Sequence, residues 1–153
     1  MTSARDAIAD LIHTYAERID AGDFEGLADL FAHATITTEG IEMQSTGRDE
    51  VLATYTNWTR RYPDDGTPKT KHVMTNLIVE VDEQAGTASS RSYFTVLQAV
   101  PGALPLQPIV AGRYRDTFER IGDEWRFTSM HIILDLIGDL SHHGATPLEP
   151  SSG

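Results

Sequence analysis

From Lys69 to Leu136 the chain keeps a period of two through the long segments Lys69–Asp82, Thr87–Val100, Gln107–Ile121 and Glu124–Leu136. Successive strand residues point to opposite faces, so alternation of this length is satisfied by a sheet, and short connections make that sheet an antiparallel meander. Gly122-Asp123 supplies a tight turn before the last segment. The stretch PGALPLQP from Pro101 breaks the pattern, and because proline cannot donate to a strand ladder it predicts a loop at one rim.

The first third reads differently. Ile8, Leu11, Ile12, Tyr15 and Ile19 recur at helical spacing behind Ser3 and Asp6, a capping-box-like start, which predicts a helix from about Ala4 to Asp20 closed by Gly22. Asp23 caps a second, short helix with Phe24, Leu27, Leu30 and Phe31 on its buried side. Two short strands around Glu39-Gly40 follow, then a third helix after Gly47, whose Val51, Leu52, Tyr55, Trp58 and Tyr62 share one broad face until PDDGTP stops it. Helices first and a long sheet afterwards predict an α+β fold: three helices against a curved, mixed sheet of five or six strands, with an open-ended pocket between them.

A chain of 153 residues is sized for one core. The domain is expected over 1–139, with 140–153 a flexible tail, because the segment after Gly138 has too little apolar material to hold itself in place. Cysteine is absent, which excludes disulfides, thiolate metal sites and a cysteine nucleophile. Twelve basic residues against 23 acidic ones give a formal charge of −11, which disfavours nucleic acid and anionic membranes as partners. The N-terminus carries no basic leader, and no apolar run approaches the ~20 residues a membrane span needs, so a cytoplasmic protein is the simple reading. His13 with Glu17, and His142-His143 with Asp139, do not supply three convergent ligands at a recognisable spacing, so no metal and no cofactor are expected.

Two residues stand out chemically. His72 lies near the start of the first long strand, where alternation puts it with Met74, Asn76 and Ile78 on a mixed face, opposite the more apolar face of Val73, Leu77, Val79 and Val81. Asp20 is a carboxylate in the last turn of a helix, at the negative end of the macrodipole, where a cation would be favoured. A histidine partner would account for it, since a carboxylate fixes the imidazole tautomer and stabilises the imidazolium. The bland alternative is an exposed helix-end aspartate leading into an Ala-Gly-Asp turn. Tyr15 can hydrogen-bond a substrate oxygen or simply fill the core. Tyr55 and Trp58 can wall a pocket or pack as a helix stripe. His131 shares parity with Trp125, Phe127 and Ser129 and reads as a second pocket imidazole or a satisfied buried histidine. Arg113 and Arg115 read as an anion anchor, a solvated strand face or a subunit contact.

The set Tyr15, Asp20, Gly22-Asp23, Leu30-Phe31, KHVMTN from Lys71, GRYRDTFER from Gly112 and WRF from Trp125 resembles the SnoaL-like branch of the nuclear transport factor 2-like superfamily over nearly the whole chain to Asp139. This branch holds dehydratases, a dehydrochlorinase and polyketide cyclases, with a steroid isomerase more distant. The resemblance implies a cone-shaped fold, a homo-oligomer (trimer before dimer), and an Asp20–His72 dyad that removes a proton from carbon, with Tyr15 beside it. Tyr55, Trp58, Met74, Asn76, Met130 and His131 are the expected substrate contacts. One departure is that Met130 stands where dehydratase and dehydrochlorinase members tend to carry arginine. The expected activity is a cofactor-independent, dehydratase-like lyase acting on a small, largely apolar cyclic substrate. The alternatives are an isomerase or cyclase using the same base, or a non-catalytic ligand-binding or oxygenase small-subunit-like module.

Overall fold

The computed structural model describes residues 2–144. Helices α1 (Ala4–Asp20) and α2 (Phe24–Asp29) precede strands β1 (Thr35–Thr38) and β2 (Ile41–Thr46); helix α3 (Gly47–Trp58) then leads into β3 (Thr70–Asp82), β4 (Thr87–Val100), β5 (Leu104–Ile121) and β6 (Glu124–Ile137). The strands form one six-stranded sheet in the order β2-β1-β6-β5-β4-β3. All neighbours are antiparallel except β1 and β6, which run parallel, so the sheet is mixed. No helix among the described residues is long and apolar enough to cross a membrane.

Local chemistry sets the helix ends. Ser3 accepts from the Asp6 N–H to start α1, and Asp23 accepts from the Gly26 N–H to start α2. Between them Gly22 takes φ 74°, and a side chain there would meet the Gly66 carbonyl oxygen at 2.1 Å, so only glycine fits. The apolar row of α1 lies across β3 and β6. Ile8, Ile12, Tyr15 and Ile19 are buried with Phe24, Leu27 and Phe31 of the α2 region against Phe94, Phe118, Phe127 and Met130 of the sheet. Phe31 stacks on Phe127 at 4.7 Å between ring centroids, which locks the α2 region onto β6.

Of the register irregularities in the sheet, the β-bulges at Asn76 on β3 and at Thr128 on β6 overturn the alternation around His72 and His131. On β3, Thr75 pairs with Tyr93 and Ile78 with Arg91, so Asn76 and Leu77 together oppose Ser92, and Asn76 takes the left-handed φ of 54°. His72 and Met74 therefore share the helix-facing side with Leu77, Val79 and Val81, while Asn76 and Ile78 are exposed. The face assignment made from strict alternation is corrected on this point. On β6, Thr117 opposes Ser129 and Phe118 opposes Phe127, leaving Thr128 as the extra residue. Phe127 and Met130 then both point inward, and His131 turns to the opposite face.

A further correction comes from the proline stretch. β5 begins at Leu104, three residues before the expected Gln107, so part of the expected rim loop is strand. Pro105 and Pro108 are tolerated because β6 pairs with β5 only from Val110 onward, so this end of the strand has no ladder on that side. Residues 139–144 fold back on the domain: Arg60 N–H donates to the His143 carbonyl at 2.8 Å, and the Tyr62 hydroxyl donates to the His142 carbonyl at 2.6 Å. The remainder of the expected flexible tail, 145–153, lies outside the described residues.

Because asparagine tolerates the left-handed region and β-branched residues do not, Asn76→Val should cost about 1–2 kcal/mol. Asn76→Gly should stay within a few tenths of wild type. Urea denaturation of the two variants checks this.

Candidate active site

Asp20 is the last residue of α1, and the helix delivers its carboxylate to the start of β3. Oδ1 accepts from the Thr70 hydroxyl at 2.8 Å and from His72 Nδ1 at 2.7 Å, while Oδ2 accepts from the His72 backbone N–H at 2.8 Å. Both side chains are sheltered, His72 at 5% and Asp20 at 10% exposure. Burial by itself raises the Asp20 carboxyl, but the imidazole's hydrogen bond and charge, the His72 amide and the Thr70 hydroxyl outweigh it and hold the group below its usual range. An ionised carboxylate can only accept, so Nδ1 carries a hydrogen, and in the neutral ring Nε2 is the atom with the lone pair. The arrangement therefore presents an imidazole of fixed tautomer and orientation, able to take a proton at Nε2 with its positive charge compensated. Asp20, His72 and Met74 line a groove of about 540 Å³ together with His13, Glu17 and Lys71.

Deeper in the fold sits a cluster of phenols. The Tyr15 hydroxyl is hydrogen-bonded to that of Tyr55 at 2.7 Å. Tyr15 lies edge-on to Tyr114 at 5.9 Å, and Tyr114 stacks on Phe94 at 4.4 Å. Burial, reinforced by their mutual proximity, pushes all three phenols well above their ordinary values, so each is a neutral donor. Past Tyr114 on the same face of β5 comes Asp116, 1% exposed, with neither carboxyl oxygen hydrogen-bonded. Burial drives this carboxyl well above the carboxylate range.

Of the residues expected at the site, Asp20, His72 and Met74 meet at the groove, and Tyr15 meets Tyr55 in the interior. Met130 is fully buried on the inward face opposite Asp116. Three others stand elsewhere. Trp58 is 61% exposed, because the buried stripe of Val51 and Tyr55 continues in four-residue steps to Thr59 rather than to Trp58. Asn76 is the exposed bulge residue. His131 pairs with Arg115 on the sheet face turned away from the helices, and its Nδ1 is 2.7 Å from the Thr37 hydroxyl.

Sequence reasoning passed over several polar groups here. Asp116, with Ser90 and Ser92, was legible as polar residues in the largely apolar inward rows of β4 and β5. His143 is half-buried on the returning segment; burial first, then the nearby His72, lowers it to about 4, so it is neutral. No local signal could have placed it, since its position depends on Arg60 Nε donating to the Gly144 carbonyl and on Gln98 Nε2 donating to the His142 carbonyl. Among the described residues no group of three or more His, Asp or Glu is placed to hold a metal ion.

The fold is shared widely. An NTF2-like protein with a cystatin-like fold from Novosphingobium aromaticivorans superposes with a TM-score of 0.70 at 24% identity, over 85% of this chain and 80% of that one. A candidate scytalone dehydratase from the same organism gives 0.69 at 21% identity, covering 95% and 93%. ActVI-ORFA from Streptomyces coelicolor gives 0.70 at 15% identity, covering 88% and 98%. No curated protein is a significant match in sequence. The sequence itself matches the SnoaL-like domain family over residues 1–131, and the chain belongs to that family.

Proposed function

We propose that the protein is a cofactor-independent, dehydratase-like lyase, and the observation that carries this reading is the buried Asp20–His72 hydrogen bond, with Nδ1 engaged and Nε2 left as the base. His72 removes a proton from a carbon next to an activating group. The C–H electron pair becomes the new double bond as the C–O bond breaks, and the hydroxyl leaves as water with a proton given by the Tyr15 phenol or passed back from the His72 imidazolium. Asp20 holds the imidazole and compensates its charge, and Tyr15, a neutral phenol backed by Tyr55, polarises or protonates the substrate oxygen. A small, largely apolar cyclic substrate fits the aromatic surroundings of this phenol pair. Membership of the SnoaL-like family and the likeness to a candidate scytalone dehydratase support the assignment.

One observation favours an isomerase or cyclase as the second reading. Met130 is an apolar, fully buried side chain where a cation would stabilise a leaving anion, and the same base can return its proton to another carbon when nothing leaves. Product mass separates the two readings: loss of water identifies the lyase, and unchanged mass the isomerase. Self-association is part of the proposal, a homotrimer before a dimer. It is supported by Val73 and Leu136, which stand exposed at the two ends of a row across β3, β4, β5 and β6 on the face away from the helices.

Against a panel of cyclic β-hydroxyketones, His72→Ala and Asp20→Asn should each lower kcat by about 10²–10⁴-fold without loss of fold. Full activity in either variant would sink the mechanism. Asp20 also predicts an acid response. Its folded value lies below the ordinary one of about 3.9, so its stabilisation is complete above that pH and lost as pH falls through the folded value. Between pH 5 and pH 3, thermal melts should therefore show a larger drop in Tm for wild type than for Asp20→Asn.

A further inference from the structure

We propose that residues 139–144 form a strap over the dyad end of the site, docked while His143 is neutral and released when that imidazole takes a proton. The polar ties of the strap to the rest of the chain run through its backbone. The Arg60 N–H donates to the His143 carbonyl at 2.8 Å and Arg60 Nε to the Gly144 carbonyl at 3.0 Å, while the Tyr62 hydroxyl and Gln98 Nε2 reach the His142 carbonyl at 2.6 and 3.1 Å. Leu140 adds an apolar contact with the core. Gln98 fixes where the strap lies: it is buried on the inward row of β4, directly opposite Thr70 of β3, whose hydroxyl holds Asp20. The strap therefore crosses the end of the sheet at which Asp20 and His72 meet. There it lays down the His143 ring, whose Nδ1 is buried without a hydrogen-bond partner. Buried polar groups are ordinarily satisfied, and a ring nitrogen left without a partner tolerates burial far better uncharged than charged.

The surrounding charges give the switch its sign. Asp20 from α1 and His72 from β3 both act on the ring: burial and His72 lower it to about 4, and Asp20 offsets only part of that. Arg60 and Tyr62 bond the strap's backbone, Lys69 is paired with Asp64 and Asp65, and on the strap itself Asp139 bonds Ser141 with His142 beside it. A free imidazole has a value of about 6.5, so between 6.5 and 4 the released segment binds a proton that the docked one refuses. Docking is therefore complete above about pH 6.5 and weakens about tenfold per unit as pH falls toward 4. At neutral pH the strap closes the dyad end, and in mild acid it frees that end before Asp20 itself is protonated. Docking is set by His143 whichever reaction His72 performs.

Amide hydrogen exchange of the full-length protein, followed by NMR and expressed as protection factors, tests the switch without any turnover. The Arg60 amide reports docking, because its acceptor is the His143 carbonyl. Its protection should fall about thirtyfold between pH 7.5 and pH 5, against about twofold or less for the Phe94 amide in the middle of β4. In His143→Phe and in His143→Asn, which carry no titrating ring, the Arg60 protection should vary by about twofold or less over the same range. Tyr62→Phe removes one tie, so it should lower the protection at both pH values and keep the ratio of about thirty. At pH 7.5 the same variant should also raise the reaction of His72 with diethyl pyrocarbonate about threefold or more, as the strap opens more often. An Arg60 protection that does not change with pH, a pH response that survives both His143 variants, or a His72 no more reactive once the strap is loosened would overturn the proposal. If His143→Phe does not dock, the asparagine variant decides.

Discussion

The contact on which the site depends is a carboxylate placed against the sign of its own helix. Asp20 ends α1 where the macrodipole is negative, and that position is held because three donors from Thr70 and His72 converge on it. The same three bonds tie the C-terminal end of α1 to β3, which is an edge strand of the sheet. Structure and chemistry are thus joined in one residue: the bond that orients the imidazole is also the bond that docks the helix. Thr70 contributes by saturating the carboxylate, so that burial does not neutralise it.

The interior shows the opposite electrostatic solution. Asp20 is buried with partners that hold its carboxyl below the usual range, whereas burial without any pushes the Asp116 carboxyl well above it. Between them the phenols of Tyr15, Tyr55 and Tyr114 remain neutral. At the β3 edge a carboxylate holds an imidazole in one orientation, while inside the fold the phenols are neutral hydrogen-bond donors. Met130 is buried among these neutral groups, opposite Asp116.

Much of this was readable from the residues. The helical row of α1 and the alternation of the long strands define the fold class and the order of the elements, because burial enforces both periods. Asp20 was legible as an anomaly of the dipole, and His72 as its partner through the family resemblance. What escaped was the parity of faces beyond each bulge. A single inserted residue at Asn76 sends that side chain outward, and another at Thr128 turns His131 away from the interior. Bulges carry no strong local sequence mark, and one residue of slip moves every later side chain to the other face. The returning segment with His143 was illegible for a different reason: its partners Arg60, Tyr62 and Gln98 are distant in sequence.

The central claim is that Asp20 holds His72 in the Nδ1–H tautomer with Nε2 unprotonated. Long-range proton–nitrogen correlation NMR of the uniformly ¹⁵N-labelled protein at neutral pH observes this directly, with the His72 signals assigned by their absence in His72→Ala. The account predicts an imidazole with a protonated Nδ1 and an unprotonated Nε2, and collapse of that pattern to a tautomer mixture in Asp20→Asn. A His72 ring that carries its proton on Nε2 in the wild-type protein, or a tautomer unchanged when Asp20 is replaced, would contradict it.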